Sequence, residues 1–171
     1  MKQLAFAITG PSGSGKTTLI EKIVKELSKD YTIAVIKHDP SNKAQFDTEG
    51  KDSDRFFKAG ANTAVVSDVK TTIFKHSSST LNQLANNLAP FDLLLVEGLK
   101  NWELPRIGVF RGEIDKNYLG FIKAVAIDDS VKIEEDLNLD ILNLNNIEQI
   151  VDYIWKNSIE FLQNSWIENI F

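Results

Sequence analysis

The chain has 171 residues, of which 43% are hydrophobic and 25% charged, a balance typical of a soluble globular domain. Its formal net charge of −5 gives no general attraction to nucleic acid or to anionic lipid, so neither nucleic acid nor a membrane is predicted as a partner. The absence of cysteine excludes disulfides, thiolate metal sites and a cysteine nucleophile. The apolar stretch within residues 1–13 is too short for a signal sequence or a membrane span, so we expect a cytoplasmic protein.

The first half of the chain alternates between runs that are apolar at almost every position, as in buried strands, and stretches with apolar side chains at helical spacing. The elements predicted there are a strand over 4–9, a helix from Gly15, a strand over 31–39, a polar loop over 40–50, a short helix that ends at Gly60, and β-rich runs at 63–68 and 71–76. A tight polar turn separates the last two runs, which predicts a β-hairpin excursion over about 63–76.

The second half continues the alternation and ends in an aromatic tail. The elements predicted there are a helix that stops at Pro90, a strand over 91–98 at the centre of the sheet, strands over 105–112 and 120–129 joined by a polar loop, an edge strand over 139–146, and a helix capped by Asn146. The tail, "EFLQNSWIENIF", is expected to pack on the body of the protein or on a partner. The pattern predicts a single α/β domain over 1–171, with a mostly parallel central sheet and helices on both faces.

A phosphate-binding motif stands between the first predicted strand and the first predicted helix, which is the context that a P-loop requires. Backbone N–H groups of such a loop turn inward onto an anion, and the helix N-terminus adds partial positive charge. We expect Lys16 to reach the β- and γ-phosphates as a catalytic residue, and the Thr17 hydroxyl to ligate Mg²⁺. The predicted nucleotide-binding residues of the loop are Gly10, Ser12, Gly13, Ser14, Gly15, Lys16, Thr17 and Thr18. The sequence therefore predicts a P-loop NTPase fold that binds a nucleoside triphosphate.

An acidic residue at the end of a neighbouring strand is the second part of such a site, and Glu97 ends the predicted strand over 91–98. Glu97 is predicted to hold Mg²⁺ through a water or to polarise an attacking water; an ordinary solvated carboxylate is the alternative. Charged residues also follow the strand over 31–39, at the sheet edge where α/β folds bind ligands. Asp39 or Asp47 is a candidate Mg²⁺ ligand there. Lys37, Lys51 and Arg55 are candidates to bind a second anion, although each of these charges is also compatible with an ordinary solvated loop.

The identity of the base is only weakly encoded, since the N-K-x-D motif by which many GTPases read guanine is missing. The strand over 120–129 ends in Asp128 and Asp129, where a carboxylate, with Asp128 as the chosen candidate, is suited to accept the N1–H and N2–H of guanine. Adenine has no such paired donors, so this position favours GTP. With two histidines and no cysteine, neither a zinc site nor a Ser-His-Asp triad is visible.

Five segments, "GPSGSGKTTLIEKIV", "VIKHD", "FDTEGKDSDRFFKAGA", "LLLVEGLK" and "PRIGVFR", together resemble the molybdopterin-guanine dinucleotide biosynthesis adapter family (MobB). The resemblance runs from about residue 4 to about residue 129. It implies a homodimeric GTP- and Mg²⁺-binding protein with weak GTPase activity. Such a protein would assist the guanylyltransferase that joins GMP to molybdopterin in molybdenum cofactor biosynthesis. The resemblance also implies a switch-like, nucleotide-binding anion loop made of Asp47, Lys51, Asp52, Ser53 and Arg55.

Two other functions are compatible with the same P-loop. A small-molecule or nucleotide kinase usually carries an arginine-rich lid, whereas the arginines of this chain are the scattered Arg55, Arg106 and Arg111. A GTPase that handles metal ions is disfavoured by the missing cysteines and scarce histidines.

Overall fold

The computed structural model describes residues 2–42, 44–100, 102–133 and 137–161. In chain order its elements are β1 (Leu4–Thr9), α1 (Lys16–Leu27), β2 (Ile33–Lys37), α2 (Asp52–Lys58), β3 (Thr63–Val66), β4 (Thr71–Phe74), α3 (Leu81–Leu88), β5 (Leu93–Glu97), β6 (Arg106–Phe110), β7 (Ala124–Ile127), β8 (Asp140–Asn143), α4 (Ile147–Asn157) and β9 (Ile159–Glu160). Contacts between residues group the chain into two compact units, of which the second spans Asp39–Thr80 and the first comprises the residues before and after it. The single domain over 1–171 stays a prediction.

The first unit is built on one sheet in the order β2-β5-β1-β6-β7-β8. Every pair along this order is parallel, and β9 adds an antiparallel pairing to the first residues of β1. The mostly parallel sheet is therefore confirmed. The prediction that the strand over 91–98 is the central strand was wrong, because β5 is second in the order, between β2 and β1, while β1 is one of the two middle strands. Both strands are buried along most of their length, so apolar content could not rank them.

Helices cover both faces of this sheet, as predicted. On one face, α1 and α4 pack their apolar stripes against large side chains of the strands, among them Phe6, Ile8 and Leu95. On the other face, α3 packs near the small side chains of Ala5 and Ala7. Small residues there leave room for the connection between β5 and β6, which contributes buried Trp102 and Leu104 to the same cluster.

Most helices end near the residues at which the sequence predicted their ends. Asn146 caps α4, its side chain accepting from the backbone N–H of Gln149 at 3.0 Å. The loop predicted between β6 and β7 instead contains a 3₁₀ helix over Lys116–Phe121. Asp115 starts that helix by accepting from the N–H of Asn117, a short-range hydrogen bond that apolar periodicity does not reveal.

In the aromatic tail, Phe161 is buried against Phe91, and residues 162–171 lie outside the described part of the chain.

The second unit consists of a loop, α2 and a two-stranded antiparallel sheet. β3 and β4 pair from Thr63 opposite Phe74 to Val66 opposite Thr71, which confirms the predicted hairpin. Gly60 ends α2 at φ +102°, and its N–H donates to the carbonyl of Phe57 at 2.9 Å, as the glycine cap predicted. Across the described residues of both units, no helix combines the length and the apolar character needed to cross a membrane.

Candidate nucleotide-binding site

The loop between β1 and α1 has a backbone that glycine makes possible. A Cβ on Gly10 would lie 2.3 Å from the carbonyl oxygen of Val109 on β6, so no larger residue fits there without displacing that strand. Gly15 has φ +99° and immediately precedes α1, in the left-handed region that other residues rarely adopt. The loop thus curls at the carboxyl end of β1 and delivers the chain directly into the N-terminus of α1.

Lys16 leans back over this loop. Its Nζ donates to the carbonyl oxygen of Pro11 at 2.6 Å, a bond that closes the loop on itself. Burial is the main cause that lowers the pKa of Lys16; nearby Glu97 opposes this shift and Lys37 adds to it. The ammonium of Lys16 therefore lies within electrostatic range of both groups. Thr17 and Thr18 follow in the first turn of α1 and are exposed.

Ser14 is the buried member of the loop. Its side chain is 4% exposed, and its Oγ has no hydrogen-bond partner among the described residues. A buried hydroxyl without a partner costs about 1–3 kcal/mol. An anion held by the loop would offer that hydroxyl an acceptor, so the loop fits a phosphate group better than it fits an empty turn.

Glu97 and Lys37 form an ion pair at the carboxyl ends of β5 and β2. The Lys37 ammonium donates to both Glu97 oxygens at 3.0 Å, and the two residues are direct partners in the register of the adjacent strands. The Glu97 side chain is 10% exposed and that of Lys37 is 60% exposed. Glu97 is therefore not the ordinary solvated carboxylate of the alternative interpretation. In the sheet it also lies opposite Ile8, two residues before the P-loop begins.

Arg106 holds the segment that follows Glu97. Its side chain is 1% exposed, and its guanidinium donates to the backbone carbonyls of Gly98, Leu99 and Trp102 at 3.1, 3.0 and 2.6 Å. Burial lowers the pKa of Arg106 to about 10. In the sequence, Arg106 is only one of three scattered arginines. The signal that could have identified it is an arginine at the start of an otherwise apolar strand, "RIGVF".

The ends of β6 and β7 carry a second charged pair beside the P-loop. Arg111 Nε lies 3.4 Å from Asp128 Oδ2, and the Arg111 guanidinium is 3.4–3.7 Å from the position that a Cβ on Gly15 would take. Asp128 also accepts hydrogen bonds from the backbone N–H and the hydroxyl of Ser130, and these bonds are the main cause that lowers its pKa. The structure thus places Asp128 at the predicted strand end, with its carboxylate already bound to neighbouring groups.

The other predicted residues belong to the second unit, where several bond to one another or to their own loop. Both Asp39 oxygens accept from backbone N–H groups of Ser41 and Ala44, and Asp47 accepts from the N–H of Thr48. Asp52 and Arg55 face each other within α2 at 3.9 Å, Ser53 lies between them, and Lys51 is the residue before the helix. Within the described residues, no three histidine or acidic side chains converge as a ready-made metal cage. Nucleotide binding by Asp47, Lys51, Asp52, Ser53 and Arg55, and Mg²⁺ ligation by Asp39, stay predictions.

Comparison with known proteins decides the family. A family model described as molybdopterin guanine dinucleotide synthesis protein B (MobB) matches residues 5–128. The chain belongs to the MobB family. It is 38% identical over 158 residues to a molybdopterin-guanine dinucleotide biosynthesis adapter protein of Haemophilus influenzae, covering 87% of this chain and 86% of that protein. It is 30% identical over 171 residues to the protein of the same name from Escherichia coli, covering 94% and 93% of the two chains.

Solved structures of MobB proteins share the fold. The crystal structure of Bacillus subtilis MobB superposes with a TM-score of 0.72 at 25% identity, covering 90% of this chain and 97% of that one. The predicted α/β P-loop NTPase fold is therefore confirmed. Fold and family together indicate a site for a nucleotide and Mg²⁺.

Proposed function

We propose that this MobB-family protein binds GTP with Mg²⁺, hydrolyses it slowly, and acts as an adapter beside the guanylyltransferase that attaches GMP to molybdopterin. The adapter role follows the names of the Haemophilus influenzae and Escherichia coli relatives. The observation that carries the nucleotide site is the glycine-rich turn at the end of β1, with Lys16 folded over it and the buried Ser14 hydroxyl inside it.

The chain's own residues account for phosphate binding. The N–H groups of Gly13 and Gly15 belong to the turn that opens α1, where the helix dipole favours an anion. Lys16 would exchange its bond to the Pro11 carbonyl for a bond to phosphate oxygens, gaining a charged acceptor in place of a neutral one. Ser12 and Thr18 complete the proposed phosphate-binding set at the two ends of the turn.

Thr17 and Glu97 are the proposed Mg²⁺-binding residues of the first unit, and Asp39 of the second unit stays a candidate Mg²⁺ ligand. Bound Mg²⁺ would neutralise charge on phosphate oxygens. Thr17 stands directly after Lys16, so its hydroxyl is positioned at the same helix end. Glu97 is compensated by Lys37 in this structure. It would therefore act on the metal through an intervening water, or after Lys37 has moved to another acceptor.

The same contacts support slow turnover. Lys16 and Glu97, the two residues proposed as catalytic, are each bound to a group of the protein: Lys16 to the Pro11 carbonyl and Glu97 to Lys37. Both bonds must change before either residue acts on a substrate. A protein with these pairings is better suited to holding a triphosphate than to rapid turnover.

The proposed homodimer is supported by the surface of the second unit. Half of the large apolar side chains that are exposed among the described residues lie in it: Phe46, Phe56, Val65, Val66, Val69 and Ile73. A two-stranded sheet by itself has marginal stability in water. We therefore propose that a second copy of this chain packs against these side chains. We expect the adapter to work in the cytoplasm, with the guanylyltransferase as its partner enzyme.

Calorimetric titration with GTP and with ATP, each with Mg²⁺, tests the proposal. Tighter binding of GTP and slow, acceptor-independent hydrolysis are expected. Preference for ATP together with fast turnover that depends on an acceptor would instead identify the kinase alternative and refute the adapter function.

A further inference from the structure

A cavity of about 460 Å³ lies between the loops that follow β6 and β7. β6 is the immediate neighbour of β1 in the sheet, so these loops emerge at the same edge as the P-loop, one and two strands away from it. The volume falls within the range of small-molecule sites. The cavity is therefore placed where the remainder of a nucleotide held by the P-loop could reach.

Arg111 connects this cavity to the P-loop. Its guanidinium lies against Gly15, and the next residue, Gly112, already lines the cavity. The Gly112 N–H donates to the Ser130 hydroxyl at 2.9 Å, and Arg111 pairs with Asp128, so the two loops are joined beside the cavity. Arg111 thus lies against the phosphate-binding turn and directly precedes a residue of the cavity lining.

The lining suits a flat heterocycle with hydrogen-bond donors on its edge. Ile114, Ile133 and Leu137 supply apolar surface for the faces of a ring, and Glu113 and Lys132 supply a charged acceptor and a charged donor. Guanine matches this set, because its N1–H and N2–H donate side by side to a carboxylate and its O6 accepts from an ammonium. Adenine places an acceptor, N1, where guanine has the N1–H, and that nitrogen would face the carboxylate unfavourably.

Glu113 is better placed than Asp128 to read the base. The Asp128 carboxylate is occupied by two hydrogen bonds from Ser130 and by Arg111. Glu113 lines the cavity and is exposed, and its carboxylate forms no hydrogen bond or ion pair among the described residues. Asp128 instead holds Arg111 against the P-loop through their ion pair. The acceptor for the base is then Glu113, in the loop after β6, and not Asp128 in the loop after β7.

We infer that the cavity between the β6 and β7 loops seats the guanine base of the bound nucleotide, with Glu113 as the residue that distinguishes guanine from adenine. This inference rests on the proposed GTP binding at the P-loop. It adds a specificity residue that no local motif indicates, since Glu113 stands in a segment, "RGEID", without the N-K-x-D pattern.

Glu113→Gln tests the inference by exchanging the base that is preferred. A glutamine amide still accepts from N1–H but meets N2–H with its own NH₂ group, whereas xanthine carries a carbonyl oxygen at that position. Calorimetry with Mg²⁺ is run on the full chain with GTP, ATP and xanthosine triphosphate. We expect the wild-type protein to prefer GTP, and the variant to lose roughly tenfold or more in GTP affinity, the loss of one hydrogen bond to a charged acceptor. The variant should at the same time gain affinity for xanthosine triphosphate.

The control is Glu103→Gln, the same chemical change at an exposed position outside the cavity lining, which should leave all three affinities unchanged. Circular dichroism establishes that both variants are folded. If all three triphosphates bind the wild type equally, or if Glu113→Gln changes none of the affinities, the base site is refuted while phosphate binding at the P-loop stands. If no triphosphate binds the wild type, the proposed nucleotide function itself fails.

Discussion

Lys37→Met is expected to destabilise the protein by about 1–2 kcal/mol, because it removes the partner of a carboxylate that is largely out of water. Breaking a fully buried ion pair costs about 3–5 kcal/mol, and an exposed pair contributes about 0–1 kcal/mol. The Glu97–Lys37 pair lies between these limits, since one side chain is 10% exposed and the other 60% exposed. Two bonds of 3.0 Å to a charged acceptor place the expected cost above that of a surface pair.

A double-mutant cycle isolates this interaction from the other consequences of each substitution. The cycle comprises Lys37→Met, Glu97→Gln and the double variant, each unfolded in urea at pH 7 and followed by tryptophan fluorescence. We expect a coupling energy of about 1–2 kcal/mol, with the double variant less destabilised than the sum of the two single variants.

The matched control is the same pair of substitutions at Lys25 and Glu21. These residues form an i,i+4 pair on α1 at 2.7 Å, with side chains that are 72% and 59% exposed. Their coupling energy should be clearly smaller, because water screens an exposed helix pair. A Glu97–Lys37 coupling no larger than this control would refute the reasoning, since it would mean that Glu97 is solvated and does not depend on Lys37.

Lys16→Ala should weaken triphosphate binding, measured by titration calorimetry, ten- to a hundredfold, because one or two charged hydrogen bonds are lost. The control Lys22→Ala, on the exposed face of α1, should leave the triphosphate affinity unchanged. Equal effects of the two substitutions would contradict the P-loop assignment. Arg106→Met leaves three backbone carbonyls without their donor and should lower the free energy of unfolding in urea by about 3–5 kcal/mol. A loss below about 1 kcal/mol would show that the segment after Glu97 does not depend on Arg106. Asn146→Ala removes the cap of α4 and should cost about 1 kcal/mol by the same assay, an expectation that unchanged stability would overturn. Burial, assisted by Asp140, raises the pKa of Tyr153 to about 12 from an ordinary 10.0, so between those values the unfolded chain releases this proton first. Wild-type stability should consequently fall more steeply than that of Tyr153→Phe as pH rises above 10, and parallel pH profiles would count against this assignment.

Much of the local structure could be predicted from consecutive residues. The left-handed backbone at Gly15, which opens α1, is a requirement of that position alone, and the Asn146 cap and the Gly60 helix end are equally local. The alternation of strands and helices restricts the sheet to a mostly parallel arrangement, because parallel neighbours need crossover connections. The phosphate-binding turn, the fold class and the family resemblance could therefore all be predicted before any tertiary contact was known.

Strand order could not be predicted from local patterns, and the contacts of the site depend on it. Glu97 meets Lys37 because β5 lies beside β2, a contact between residues sixty positions apart that no local pattern encodes. Arg111 reaches Gly15 because β6 lies beside β1. Charge in a loop looks the same in sequence whether it is solvated, paired or placed against the P-loop. The surroundings that distinguish these states come from distant segments, which meet only when the chain packs its core.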